Sequence, residues 1–511
     1  GLTSRKRTRS SGKASPRSAA RPPVEEAKPV VAPSPRPERP FPIVGIGASA
    51  GGLEALELFL KNVPPRCGMA FVIVQHLDPT HKGAMVELLQ RCTPMPVVEV
   101  KDRQQVEPEH VYVIPPGKDI SVLHGVLHTL PLRSPRGLNL PIDFFFRSLA
   151  QDRQEASLGV VLSGMGSDGT LGLGAIKEKA GATFVQALSS AKFDGMPRSA
   201  IDAGLADVVA PVEELPARIV AFHKHAPYIA RPSPAGPEPA QGTALEKVLV
   251  LLRAQTGNDF SLYKRSTVER RVERRMGLHQ IGQIGDYLRY LRENPQETEQ
   301  LFKELLIGVT SFFRDPEAWD HLRSVALPQL IKSRREGTLL RAWVPACSTG
   351  EEAYSLAMVL SEALEEVQAT RNLSYQVFAT DLDKDAIDRA RQGSYPANIA
   401  ADVSPERLRR FFLQEDTGYR VRKEIRETVV FAPQNVITDP PFTRLDVLSC
   451  RNLLIYLSGE LQRKLLPLFH YSLNPSGVLF LGSAETVGGF SNLFSPIDSK
   501  SRLYQRLQTT V

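Results

Sequence analysis

The sequence predicts an α/β protein with two doubly wound parallel-sheet domains and a small helical subdomain ahead of the second. Two stretches carry that prediction. In residues 41–52, Phe-Pro-Ile-Val-Gly-Ile-Gly-Ala-Ser-Ala-Gly-Gly, an apolar run passes through glycines too tight for larger side chains. It leads into Leu53, Leu56 and Leu60, spaced as one face of a helix. In residues 339–351, Leu-Leu-Arg-Ala-Trp-Val breaks at Pro-Ala-Cys-Ser-Thr-Gly, and a helix starts at Glu351. Such strand–turn–helix units, repeated, imply parallel strands with helices on both faces. Residues 227–243, rich in proline, read as an extended linker between the two.

A chain of 511 residues has room for about two to four domains, each with its own core. The net charge of +7 suggests nucleic acid until it is located: residues 1–40 hold ten Lys/Arg and three Asp/Glu, and the rest holds 53 of each sign. The excess therefore belongs to a tail with eight prolines, expected to be disordered, and not to a groove on a fold. No apolar run approaches the ~18–20 residues of a membrane helix, and no secretory h-region follows the basic start. Cys67, Cys92, Cys347 and Cys450 are scattered without CxxC or metal-ligand spacing. That pattern fits structural thiols in a reducing cytoplasm and no metal site.

Further strands are expected at 70–74, 97–100, 111–114 and 158–162, a hairpin at 120–130 around Gly125, and helices at 141–149 and up to Lys179. The turn at Ser49 fits two motifs, the nucleophile elbow G-x-S-x-G (47–51) and the dinucleotide fingerprint G-x-G-x-x-A (45–50). Alone, neither decides. Ser49, His76 and Asp168 each follow the carboxyl end of an expected parallel strand, and those ends share one crevice. A hydroxyl needs an imidazole to take its proton and a carboxylate to orient that imidazole. Met165 and its flanking glycines could aim backbone N–H groups at an oxyanion. A dinucleotide site wants an acid at the second strand tip, where His76 stands. Gln75, Asp78 and Pro79 give that histidine a polar, turn-forming neighbourhood.

Beyond the linker, helices are expected at 245–252, 267–276, 284–292 and 297–306. Arg270, Arg271, Arg274 and Arg275 lie on adjacent turns with Glu269 and Glu273 between them, which reads either as a self-paired solvated face or as a patch for an acidic partner. Strands at 339–344 and 375–379 follow, the second ending in Asp381 and Asp383. A small-residue turn after one strand and a carboxylate at the next strand's tip suit an adenosine. The glycine spacing departs from G-x-G-x-x-G, so a nucleoside without phosphates fits better than NAD.

Gly-Ile-Gly-Ala-Ser49-Ala-Gly-Gly, Gln75-His76 and Ser-Gly-Met165-Gly-Ser-Asp168-Gly resemble the catalytic domain of the chemotaxis protein-glutamate methylesterases, a likeness spanning roughly 41–222 and including Phe193-Asp-Gly-Met-Pro-Arg-Ser199. It implies Ser49 as nucleophile, His76 as general base, Asp168 as its orienter and Met165 at the oxyanion. Ala50 departs from the family's frequent Thr, and residues 1–40 do not resemble the phosphoacceptor domain such enzymes usually carry, so phosphorylation control in cis is not expected. Val309-Thr310-Ser-Phe-Phe-Arg314, Cys347-Ser-Thr-Gly-Glu351, Thr380-Asp381, Gln434-Asn435-Val436 and Cys450-Arg451 through Tyr456 are similar to the chemotaxis receptor methyltransferases, over about 245–507. That likeness implies a Rossmann-like domain with a small β-insert near 395–431, and S-adenosylmethionine as methyl donor without a metal. Thr310, Arg314, Glu351, Asp381, Asn435, Val436, Cys450 and Arg451 would line the cofactor site, with Arg314 and Tyr456 nearest the transferred methyl. Gly308 stands where the family has Asn, which removes one implied contact. The helix at 270–275 sits where that family engages receptor helices.

The expected organisation is a tail (1–40), a methylesterase domain (41–226), a linker (227–243), a helical subdomain (244–320) and a methyltransferase domain (321–511). The expected function is addition and hydrolysis of methyl groups on glutamates of a chemoreceptor-like protein. A scaffold with one half degenerate and a sensory regulator with a different protein target are the alternatives.

Overall fold

The computed structural model describes residues 41–76, 84–132, 139–225, 239–367 and 372–508. The expected tail at 1–40, the neighbours Asp78 and Pro79 of His76, and positions 227–238 of the expected linker lie outside these residues.

The first sheet is built from β1 (Ile43–Ala48), β2 (Ala70–Gln75), β3 (Val97–Glu99), β4 (Val111–Val113), β5 (Ser157–Val161), β6 (Ala182–Gln186) and β7 (Val208–Ala210). Its order is β7-β6-β5-β1-β2-β4-β3 and every pairing is parallel. Every residue of β1 is buried. Val44 and Ile46 face one apolar cluster with Phe59 and Phe184, while Ile43 faces another with Phe145 and Phe146. Helix α1 (Gly52–Lys61) follows β1, and α2 (Pro141–Arg153) crosses the opposite face at very close range. A Cβ on Gly45 would lie 2.8 Å from Phe146 and one on Gly47 2.5 Å from Ile142, so the glycines of the first motif serve this contact as well as the turn. The expected hairpin forms from Lys118–Leu123 and Val126–Pro131. After β5 comes α3 (Thr170–Glu178). The strand order reverses between β1 and β5, which opens the crevice beyond their carboxyl ends.

Four helices follow: α4 (Pro239–Thr256), α5 (Arg265–Leu278), α6 (Ile284–Glu293) and α7 (Pro295–Leu306). Helix α4 begins inside the stretch expected to be extended, because the proline-dense part of that stretch ends at Pro239 and Ala, Gln and Thr continue into the helix.

The second sheet comprises β8 (Leu339–Pro345), β9 (Ser374–Asp381), β10 (Val429–Pro433), β11 (Leu445–Cys450), β12 (Leu473–Leu481), β13 (Phe494–Asp498) and β14 (Leu503–Arg506). Its order is β10-β9-β8-β11-β12-β14-β13, parallel through β12 and antiparallel at the β14 and β13 edge. Helix α8 (Glu351–Glu365) follows β8. The insert is a three-stranded antiparallel sheet of Ser394–Pro396, Phe412–Glu415 and Gly418–Val421. It ends before Phe431, which belongs to the edge strand β10.

The arginine run does not form a partner patch. Arg274 is 0% exposed and Arg271 4%, and both face the methylesterase-like half. Arg274 donates to the Gly181 carbonyl at 2.8 Å and pairs with Asp207 and Glu304. Arg271 donates to the carbonyls of Lys177 and Glu178 at 2.8 and 2.6 Å. Arg275 is turned to Glu297 within the helical subdomain, and Arg270 alone of the four is exposed. Burial alone would raise the Asp207 carboxyl, but Arg274 and Lys177 hold it well below the usual carboxylate range. Arg271 and Arg274 are therefore a clasp between halves, and residues 41–511 form one compact unit.

Candidate active sites

The register of the first sheet builds the first site. Ala48 lies opposite Gln75 across the β1–β2 pair, so the next residues, Ser49 and His76, emerge side by side. Ser49 Oγ is 3.3 Å from His76 Nδ1, and His76 Nε2 is 2.8 Å from Asp168 Oδ2. This geometry calls for a proton on Nε2 toward the carboxylate and a lone pair on Nδ1 toward the hydroxyl. Ser49, Ala50, Gly51, Gln75 and His76 line an open groove.

Asp168 is 2% exposed, and its charge is held by the start of α2. The backbone N–H of Ile142 donates to Oδ2 at 3.1 Å and that of Asp143 to Oδ1 at 2.9 Å. These are first-turn amides with no intrahelical partner, at the positive end of the helix dipole. Burial, and then the charge of Asp168, push the neighbouring Asp143 carboxyl well above its ordinary range. Sequence reasoning found the helix but missed this use of its N-terminus. Pro141 at the first helical position was the available signal.

Gly164 is required by close approach: a Cβ there would lie 3.0 Å from Ser49 Cβ and 2.2 Å from Met196 Sδ. The Met165 side chain is 60% exposed, beside Gly166 at φ 81° and facing Phe193, Asp194 and Gly195. Asn398, from the second half, donates to the Ser167 carbonyl and to Asp143 Oδ2, both at 3.3 Å, a contact no sequence signal announced.

In the second sheet Pro345 lies opposite Thr380, so the turn after β8 meets Asp381 at the tip of β9. Ser348 N donates to Asp381 Oδ2 at 2.8 Å and Asp383 N to Oδ1 at 2.9 Å. Burial pushes the Asp381 carboxyl up to about 6. Asp383 itself caps the next helix by accepting from Asp385 N and Ala386 N. Gly350 has φ 94°, and a Cβ there would lie 2.9 Å from Ala390 Cβ, which keeps the turn small. Glu351 accepts from Thr349 Oγ1 at 2.6 Å and is pushed by burial up to about 7. Asn435 Nδ2 donates to Asn258 Oδ1 at 3.1 Å, and Val436 packs on the apolar cluster that the helical subdomain shares with the second sheet. Tyr263 of that subdomain lies 9% exposed beside Asp381. Neither Asn258 nor Tyr263 was singled out from sequence.

Thr310 is half-buried in the loop after α7, where Phe313 and Asp315 have φ of 47° and 59°. The side chain of Arg451 holds this loop, donating to the Arg314 carbonyl at 2.7 Å and to Asp315 Oδ2 at 2.8 Å. Its guanidinium lies over the rings of Trp319 and Phe480. Cys450, immediately before Arg451, is fully buried at the end of β11. Gly308 has its carbonyl on Ser348 Oγ at 2.9 Å, and a Cβ would come within 3.3 Å of that oxygen. The structure brings Arg314 and Tyr456 together. Burial, and then the nearby Glu178 carboxylate, push the Tyr456 phenol up to about 12.

Residues 44–219 match the CheB methylesterase family. Residues 243–306 match the all-alpha domain of CheR methyltransferase, and residues 308–503 its SAM binding domain. A 104.1 kDa protein encoded in the hypE 3′ region of Rhodobacter capsulatus is 39% identical over 446 residues, 83% of this chain and 46% of that protein. This chain thus spans about half the length of that relative. The chemotaxis protein methyltransferase of Listeria monocytogenes is 30% identical over 237 residues, 46% of this chain and 87% of the relative. Among solved structures, the Thermotoga maritima CheB methylesterase catalytic domain is 28% identical, covering 35% of this chain and 98% of its own, with a TM-score of 0.34.

Proposed function

Because the chain belongs to the chemotaxis protein methyltransferases, fused behind a CheB methylesterase domain, we propose that it both adds and removes glutamyl methyl esters on a chemoreceptor-like helical protein in the cytoplasm. The observation that carries the hydrolytic half is the unbroken chain from Ser49 through His76 to Asp168. Ser49 Oγ attacks the ester carbonyl carbon while His76 Nδ1 takes its proton. His76 then returns that proton to the departing methoxide, and methanol leaves. Water repeats the sequence on the acyl-serine, with His76 again the base and Asp168 keeping its tautomer. Met165, next to the Gly164 that packs against Ser49, is assigned to the oxyanion.

The second crevice fits S-adenosylmethionine. Asp381 presents a carboxylate at the strand tip, Gly350 leaves space that a Cβ would fill, and Gln434 Oε1 is buried without a hydrogen-bond partner among the described residues. Thr310, Glu351, Asp381, Asn435 and Val436 would hold it, with Arg451 behind the loop and Cys450 immediately before it in the chain. When bound, it supplies a methyl group on a sulfonium sulfur, already activated for transfer. Arg314 orients the acceptor carboxylate and keeps it ionised, and Tyr456, a neutral hydroxyl at physiological pH, can donate to it.

A pH dependence follows from Asp381. Ionised, it would accept from the ribose hydroxyls of the bound cofactor; protonated, it loses acceptor capacity. With the carboxyl raised to about 6, affinity is full above that pH and falls below it. Titration calorimetry should find binding roughly tenfold weaker at pH 5 than at pH 7.5.

The joint activity is tested by following methyl label from S-adenosylmethionine into receptor-rich bacterial membranes. Label should plateau low with the parent chain and escape as methanol, and should accumulate without methanol with Ser49→Ala. Absence of label in both would overturn the proposal.

A further inference from the structure

Glu178 is the last residue of α3, in the methylesterase domain, yet its carboxylate reaches Arg314 and Tyr456 of the methyltransferase domain. Its Oε1 accepts from Arg314 Nη2 at 2.9 Å, and its side chain is 12% exposed. Tyr456 is the neighbouring phenol. Arg271 clasps the backbone just behind, through the carbonyls of Lys177 and Glu178. One helical turn earlier, a Cβ on Gly174 would lie 3.7 Å from Val309 Cγ1, at the start of the loop that carries Thr310 and Arg314, so α3 packs there without a side chain between. A carboxylate at a helix C-terminus is repelled by the dipole, so α3 alone gives Glu178 no reason to point there. The cations of the other domain do.

The chemistry at this point is specific. A glutamate, carried on a helix, presents its carboxyl group to the arginine that the proposed function assigns to an acceptor glutamate. We propose that Glu178 occupies the acceptor-carboxylate position of the methyltransferase site, so that the docked methylesterase domain excludes receptor glutamates from within the same chain. The proposal rests on the proposed function for the meaning of that position. Receptor methylation then requires α3 to withdraw, and anything that loosens the docking of the two domains raises methyltransferase activity.

The test uses the full chain carrying Ser49→Ala, with and without Glu178→Gln, which removes the charge and keeps the shape. Two readouts are taken on receptor-rich membranes from bacteria lacking their own methyltransferase. One is cosedimentation of the protein with membranes in the presence of S-adenosylhomocysteine. The other is KM for the membranes in methyl transfer. If the docked state holds roughly ninety per cent of molecules, Glu178→Gln should bind at about tenfold lower membrane concentration and lower KM by a similar factor. Affinity for S-adenosylmethionine should not change. Glu178→Ala serves as the second variant, since Gln can keep a neutral hydrogen bond to Arg314. Unchanged or weaker membrane binding with both variants overturns the proposal. So does methyl label recovered on Glu178, which would make it an acceptor. Tighter membrane binding without methyl transfer by any variant would instead leave the occupancy standing and sink the proposed function.

Discussion

Asp168→Asn should lower hydrolysis of glutamyl methyl esters about 10⁴-fold while leaving the fold intact. The carboxylate takes four donors: His76 Nε2 at 2.8 Å and Ile142 N–H at 3.1 Å on Oδ2, and the N–H groups of Asp143 and Gly169, both at 2.9 Å, on Oδ1. All four call for an acceptor. An asparagine offers one oxygen and one NH₂ group. If the oxygen stays on the Asp143 amide, the NH₂ faces both the Ile142 amide and His76. The imidazole then turns its Nε2 lone pair toward that NH₂, and its proton moves to Nδ1. A protonated Nδ1 faces Ser49 and cannot take the hydroxyl proton. The measurement is kcat/KM on a methylated receptor substrate, together with the thermal midpoint. A fall of less than tenfold would mean that Asp168 serves the turn before α3 and not the reaction. Methyl incorporation in the same preparation should accumulate without methanol, as expected for Ser49→Ala.

What sequence could reveal here follows from the range of the interaction. Ser49, His76 and Asp168 were legible because a parallel sheet gathers its strand tips, so three short apolar runs locate three side chains. Asp381 was legible for the same reason. The N-terminus of α2 beneath Asp168 was not, since its amides look like those of any helix until the fold sets them against a carboxylate. Asn258, Tyr263 and Asn398 are ordinary polar residues whose importance comes from what packs on them. The arginine run misled for a related reason. Charge periodicity marks a helix face but not what covers it, and this face is covered by a neighbouring domain. Glu178 is the sharpest case. On α3 it reads as a surface glutamate, and only the second domain gives it Arg314.

Arg274→Met should be strongly destabilising, and Arg270→Met nearly neutral, although the two lie one turn apart. Arg274 is fully buried between Asp207 and Glu304, which are 1% and 4% exposed at their side chains. Removing the guanidinium leaves two buried carboxylates facing each other with Lys177 and Arg271 as their remaining cations. Breaking a buried network in this way costs about 3–5 kcal/mol. Arg270 is exposed, and its loss should fall within about 0.5 kcal/mol. Differential scanning calorimetry should show a first transition lowered by roughly 10 °C for Arg274→Met and essentially unmoved for Arg270→Met. A receptor-binding patch would give the reverse pattern, with stability unchanged for both and membrane binding lost. The same substitution also bears on control of the second site. Arg271 and Arg274 are the residues that hold the C-terminal end of α3 against the helical subdomain, and that end carries Glu178 into the methyltransferase crevice. Below its lowered transition, the Arg274→Met chain should therefore bind receptor membranes more tightly than the parent, in the direction expected for Glu178→Gln. The clasp would then do two things with one set of arginines: hold the domains together and keep the acceptor position filled.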